Sequence, residues 1–296
     1  MTPQAPPPSM LGAASPLTWD LLAGREREAT VLAAFPTAVY LRAGDHHEVL
    51  PVVSSDALML PTALRLPLPA DDLVWGLAAG DTVTLGRGML RLPGWGIRVV
   101  RQWRPAQVRP LTHRVPGHLL LAAAGVMAPG GLDADLADRA GFTLRAALRG
   151  DAATATSLVD GLVGSGRGLT PSGDDALCAV LLVLHGVGSL TGLRVASAAT
   201  SARRHATTSL SASLLDAAAG GYAVPQVAAL VTAALRGDET ATATALEDVL
   251  AIGHSSGRDL AAGLAGCLRV LALLPHAVPR PAAPEHAPEP AGRDLP

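Results

Sequence analysis

An α+β protein is predicted, with an N-terminal antiparallel β domain, either a sheet or a small barrel, followed by a C-terminal α-helical bundle. Three observations predict it. Short alternating runs separated by glycine turns fill residues 30–105. After Pro105, Pro110 and Pro116 the hydrophobic period changes from two to about 3.6. The aromatic residues also divide unevenly: Trp19, Phe35, Tyr40, Trp75, Trp95 and Trp103 come early, and only Phe142 and Tyr222 come late. A second half built from Ala, Leu and Val suits closely spaced helices better than a sandwich.

The strand runs are 30–35, 38–42, 48–53, 82–85, 89–92 and 97–103. Gly44-Asp45-His46-His47 and Gly86-Arg87-Gly88 supply turns between them. Residues 71–79 read as one helix inside the β domain. The helical pattern gives 118–128, 133–149, 152–163, 174–187, 193–219, 225–235, 239–252 and 259–274. Residues 1–15 and 275–296 are Pro- and Ala-rich and read as disordered tails. The domains are therefore expected at 16–110 and 111–274.

Composition removes several function classes. The 296-residue chain has a net charge of −2 and no basic run longer than Arg203-Arg204, so a dedicated nucleic-acid surface is not expected. All 23 basic residues are arginine. Without lysine, neither Schiff-base chemistry nor a lysine-containing P-loop is available. Arginine still suits two-pronged contact with carboxylate or phosphate. Cys178 and Cys267 fall in apolar helical stretches and read as buried free thiols. Residues 1–22 lack the basic and apolar regions of a signal peptide, and the apolar stretch 176–190 is too short for a bilayer. The expected location is the cytoplasm.

One local repeat stands out. Ser172-Gly173-Asp174-Asp175 and Ser256-Gly257-Arg258-Asp259 are both Ser-Gly-x-Asp, and each opens an apolar helix. A plain reading makes each a capping box, the serine oxygen taking a free N–H and the carboxylate reaching back. The first motif exceeds that need. Gly164, Gly166 and Gly168 precede it, permitting positive φ and close backbone approach to a ligand. A helix N-terminus offers unpaired N–H groups to an anion, and Arg167, His254 and Arg258 add donors. One helix end contributes roughly 0.3–2 kcal/mol, while millimolar affinity needs about 4 kcal/mol. A site therefore requires the two loops to meet.

The candidate catalytic residues are Asp174, Asp175, His254 and Asp259. Candidate substrate contacts are Gly166, Arg167, Gly168, Thr170, Ser172, Gly173, Ser255, Ser256 and Gly257. Thr207, Thr208 and Ser211 crowd hydroxyls onto a predicted helix, either bonding preceding carbonyls or lining the same pocket. No cofactor is demanded. Mg²⁺ is the cation that the three aspartates would suit, since it prefers oxygen ligands. A metal-assisted hydrolase is the corresponding alternative.

The strings GRGLTPSGDD, TTSLSASLL and IGHSSGRDLAAGL resemble the three blocks of a domain-of-unknown-function family. That family contains the AllH subunit of oxamate carbamoyltransferase. The resemblance extends more weakly to the strand leading into Trp103-Arg104-Pro105, and covers roughly residues 25–275. It implies a β-rich part followed by a helical domain, and a place in purine and allantoin nitrogen catabolism. There oxalurate and phosphate become oxamate and carbamoyl phosphate. It also implies FdrA-like and AllG-like partner subunits. A non-catalytic anion-binding partner of an FdrA-like protein is the other role it allows.

Overall fold

A computed structural model describes residues 9–43, 48–128 and 131–274. The expected turn at His46-His47 and the tails 1–8 and 275–296 lie outside those residues. The alternating runs form β2 (Arg27–Phe35), β3 (Ala38–Ala43), β4 (Glu48–Val53), β6 (Thr82–Gly86), β7 (Met89–Leu92) and β8 (Trp95–Gln102). Two further strands, β1 (Ser9–Ala14) and β5 (Leu64–Arg65), complete a closed barrel in the order β1-β5-β4-β3-β2-β6-β7-β8. Inward residues such as Val31, Leu41, Leu50, Leu85, Leu90 and Ile97 fill it. Between β6 and β7, Arg87 (φ 50°) and Gly88 (φ 75°) both take the left-handed conformation that a tight hairpin turn requires.

Three expectations need correction here. Residues 9–14 are a barrel strand rather than part of a tail. Their small residues carry no strand signal, but Gly12 lets Ile97 and Leu64 approach closely. The sheet is not purely antiparallel, because β1 pairs with β8 and β4 with β5 in parallel. Closing the barrel consumes sheet edges that would otherwise lie open. The helix expected over 71–79 is only a 3-10 turn, Ala70–Asp72, beside the five-residue helix α1 (Trp19–Ala23) earlier in the chain. Leu73 and Trp75 are buried and Val74 between them is exposed, a period of two. The Trp75 indole donates to Pro36 O at 3.0 Å.

Nine helices follow among the described residues: α2 (Gly117–Met127), α3 (Ala134–Leu148), α4 (Ala152–Leu162), α5 (Ser172–Gly186), α6 (Leu190–Ala202), α7 (Ser209–Ala219), α8 (Pro225–Arg236), α9 (Glu239–Leu250) and α10 (Ser256–Leu273). Side-chain caps start several of them. Asp133, Asp151 and Asp238 accept from Leu136, Thr154 and Ala241 N–H. Pro225 opens α8, and Gly237 at φ 67° closes it. No described helix is long and apolar enough to cross a membrane.

The helix expected over 193–219 is broken. Residues 204–206 form a 3-10 turn, Thr207 is extended, and the Thr208 hydroxyl caps α7 by accepting from Ser211 N–H. Hydroxyls that compete for backbone partners favour such a start over a helix interior.

α5 and α10 are buried on nearly every side, and the other helices wrap them. Their contact is close because of small residues: a Cβ on Gly263 would meet Ala176 at 2.8 Å. The barrel joins this core through Ala38, Val53, Leu60 and Ala63. The strap after β8 adds Val108 N–H to Gly221 O at 2.9 Å and Leu111 N–H to Gly186 O at 2.8 Å.

A Cβ on Gly266 of α10 would lie 1.8 Å from Ala137 O. Gly266→Ala should therefore cost about 1–3 kcal/mol by forcing α3 and α10 apart. Gly125→Ala, where a Cβ meets nothing within 4 Å, should instead stabilise α2 by about 0.5–1 kcal/mol. Urea denaturation of the two variants checks the contrast.

Candidate functional site

Both Ser-Gly-x-Asp motifs use their glycine in the same way. A Cβ on Gly173 would lie 2.0 Å from Leu162 O in the last turn of α4. One on Gly257 would lie 1.8 Å from Val249 O in the last turn of α9. Each motif thus folds the new helix back over the carbonyl end of the preceding one. The serines are not side-chain caps, which corrects the capping-box reading. Pro171 and Ser255 stand at the cap positions, and neither makes a side-chain cap bond. The carboxylates are consequently released for other contacts.

Asp174 is 1% exposed. Its Oδ1 accepts from Gly164 N–H at 2.9 Å, and its Oδ2 accepts from the Thr207 hydroxyl. The glycine-rich loop, the start of α5 and the break before α7 are thereby joined. Thr208 adds a second tie, donating to Leu169 O at 2.6 Å. Gly164, Gly166 and Gly168 all have positive φ, at 71°, 122° and 92°. Two of them serve the protein's own packing: a Cβ on Gly164 would meet Ala206 O, and one on Gly166 would meet Ser172 N. Only Gly168 faces open space.

The two loops meet. The hydroxyls of Thr170 and Ser256 lie 2.8 Å apart, and Asp175, in the first turn of α5, feels Asp259 in the first turn of α10. Asp175 Oδ2 and Asp259 Oδ2 are both buried without a hydrogen-bond partner. Burial pushes the Asp175 carboxyl up to about 8. Repulsion from Asp259 and Asp174 acts in the same direction, while the Ser256 and Thr170 hydroxyls oppose it. Asp175 is therefore mostly a neutral acid at neutral pH and can donate a proton in a hydrogen bond. Burial likewise raises the neighbouring Cys178 thiol, with Asp175 and Asp174 adding to it, so this cysteine stays protonated.

Asp175, Thr170, Ser256 and Gly257 line a cavity of about 520 Å³ between the barrel and the helices. Its other walls are mainly apolar, from Tyr40, Leu58 and Leu60 of the barrel and Leu182, Leu210 and Leu214 of the helices. The remaining candidates lie around this centre. Ser172 packs beside Gly166, and Ser211 is buried in the first turn of α7. Arg167, His254 and Ser255 are exposed on the loops, and Arg258 is exposed in the first turn of α10. Among the described residues no group of three or more His, Cys, Asp or Glu is placed to hold a metal ion. Both carboxylate oxygens of Asp174 are already committed, to Gly164 N–H and to the Thr207 hydroxyl. The metal-assisted reading gains no support from this arrangement.

Sequence reasoning missed the barrel wall of the cavity. Phe35, Pro36 and Thr37 at the tip of the β2–β3 hairpin line it. Phe35 is 45% exposed and meets Tyr40 edge-on at 6.0 Å. An aromatic residue beside a proline in a hairpin turn was the available signal.

Fold and loops together define a barrel-plus-helices protein with two glycine-started helices converging on one cavity. Residues 162–268 match the family model described as oxamate carbamoyltransferase subunit AllH. The match spans both loops and the hydroxyl segment between them, the stretches that carry the resemblance. No curated protein and no solved structure matches the chain.

The Asp175 proton has a measurable consequence. Its folded value of about 8 lies above the ordinary 3.8. Between those values the folded state keeps a proton that the unfolded state has released. The stabilisation is thus complete below about pH 4 and is lost as pH rises towards 8. Asp175→Asn should remove this dependence, gaining on the wild type by about 1.4 kcal/mol per pH unit across the window. Chemical denaturation at pH 5, 7 and 9 checks it: a constant difference between the two proteins would mean that Asp175 ionises freely.

Proposed function

We propose that this chain is an AllH-like subunit of an oxamate carbamoyltransferase-type complex. The complex acts on a small ureido or amide acid with phosphate or carbamoyl phosphate. The supporting observation is the convergence of the two matched loops on Asp175, Thr170 and Ser256, with unpartnered buried carboxyl oxygens at their meeting point.

In the forward transfer a phosphate oxygen attacks the ureido carbonyl. The C–N bond to the oxamate nitrogen breaks, and that nitrogen takes up a proton. A neutral Asp175 suits hydrogen-bond donation to the carbonyl oxygen, where negative charge develops. His254 and Asp259 would orient substrate or move the proton. Arg167, exposed on the glycine-rich loop, and Arg258, exposed in the first turn of α10, would meet phosphate or carboxylate. Gly166, Gly168, Ser172 and Ser255 would shape that cradle.

Several of these groups face solvent, which favours a site completed by another subunit. FdrA-like and AllG-like proteins are the proposed partners, and the cytoplasm the proposed location. Exposure of Arg167, His254 and Arg258 equally suits a non-catalytic role, in which this chain presents a bound anion to an FdrA-like partner.

Oxalurate and phosphate are to be mixed with this chain alone, then with FdrA-like and AllG-like partners, and carbamoyl phosphate measured. Little turnover is expected from the lone chain, and robust turnover from the mixture. Asp175→Asn and Asp259→Asn should each lower the mixture's rate at least tenfold, about 1.4 kcal/mol of transition-state stabilisation, while neither protein loses thermal stability and Asp175→Asn gains it. Robust turnover by the lone chain would overturn the subunit reading. Normal rates in both variants would support the non-catalytic role.

A further inference from the structure

The cavity beyond Asp175 is larger and more apolar than a small ureido acid requires. Its volume of about 520 Å³ falls within the range of roughly 300–1,000 Å³ typical of small-molecule sites. At about 30 Å³ per water, that space corresponds to many waters in surroundings with few groups to bind them. Phe35, Leu58 and Leu169, all among the exposed large hydrophobic residues, line the same cavity. Exposed apolar residues gathered at one concave site mark a binding surface more strongly than the same residues scattered.

The polar lining around Asp175 is equally specific. Asp175 is 8% exposed and lines the cavity, and its Oδ2 has no hydrogen-bond partner. An unsatisfied oxygen of this kind costs free energy unless a ligand completes it. The charged alternatives are placed elsewhere, since Arg167 and Arg258 do not line the cavity. An anionic head beside Asp175 would also meet the repulsion of the Asp259 and Asp174 charges that act on that carboxyl.

We infer that this cavity binds an amide or ureido compound with an apolar body. The carbonyl and N–H of its head group would pair with Asp175, Thr170 and Ser256, and its hydrocarbon or aryl part would lie among Tyr40, Leu60 and Leu214. A protonated carboxyl and an amide are complementary. The O–H donates to the amide oxygen, the amide N–H donates to the carboxyl oxygen, and neither group is left unsatisfied. Burial keeps Asp175 in the required form at neutral pH. The barrel wall that contacts the apolar body lies outside the matched residues 162–268. Ligand choice can therefore differ from that of proteins sharing only the loops. The inference rests on the reading of those loops as a substrate site and narrows its substrate class.

The test is a binding series on the full chain, alone and with the proposed partners, using oxalurate, N-carbamoylglycine, N-carbamoyl-leucine and N-carbamoyl-phenylalanine. Affinity should rise at least tenfold from the glycine to the phenylalanine compound. Leu214→Asn should flatten the series while the protein stays folded by circular dichroism. Asp175→Glu should weaken every member by displacing the carboxyl.

Oxalurate or N-carbamoylglycine binding as tightly as the phenylalanine compound would overturn the inference and leave the carbamoyltransferase reading intact. So would an unchanged series in folded Leu214→Asn. If that variant fails to fold, the wild-type series decides alone. A steep series without carbamoyl transfer in the mixture would support the inference and remove the carbamoyltransferase reading. Binding of no member in either setting would overturn both.

Discussion

The buried carboxyl of Asp174 is the tie on which the site depends. Through Gly164 and Thr207 it fixes two chain segments that the sequence places far apart. Without it the glycine-rich loop would keep only the Gly173 N–H to Ser165 O bond as a hydrogen-bonded tie to α5, and the extended residue before α7 would lose its partner. Buried polar groups of this kind are costly when left unmatched, so the arrangement holds only if all three segments arrive together. The break between α6 and α7 follows from the same demand. A continuous helix there could not combine an extended Thr207 with the hydroxyl cap of Thr208.

Adjacent aspartates consequently carry different work. Asp174 is spent inside the protein, one oxygen to each partner. Asp175 points to the cavity, retains an unmatched oxygen and holds its proton near neutrality. The repeat explains why two helices reach this place. In each motif the glycine lets its helix cross the end of the preceding one, and the carboxylate two residues later lands at the crossing with a buried oxygen free. Asp175 and Asp259 are equivalent in this sense, although the loops before them differ in length.

Much of this was legible in the residues. Alternation revealed six of the eight strands, and the 3.6 period with aspartate and serine starts revealed the helices. The pairing of the Ser-Gly-x-Asp loops followed from their similarity. Other features depend on tertiary context and left little local trace. β1 is a short run with three small residues at its end, whose strand state is imposed by Ile97 and Leu64 packing across Gly12. β5 is two residues long, too short for any period to show. Residues 71–79 have a helix-forming composition, yet Leu73 and Trp75 gain more by burying on the barrel. The roles of Gly164 and Gly166 were half legible: positive φ was expected, but their packing against Ala206 and Ser172 needed the fold.

The junction of barrel and helices shows why the cavity escaped a reading taken segment by segment. Neither part alone encloses it. The barrel supplies the hairpin tip and the loop around Leu58, and the helices supply α5, α7 and the start of α10. Each wall is apolar enough to pass for ordinary core. What distinguishes them is that the two surfaces do not close fully over Asp175, although residues around it are packed tightly enough to exclude a Cβ at Gly173 and Gly257. A core that packs so closely on one side and leaves a chamber on the other is not short of side chains to fill it. The chamber's lining joins an unmatched, protonated carboxyl to mainly apolar walls, the two kinds of contact a ligand-binding site combines.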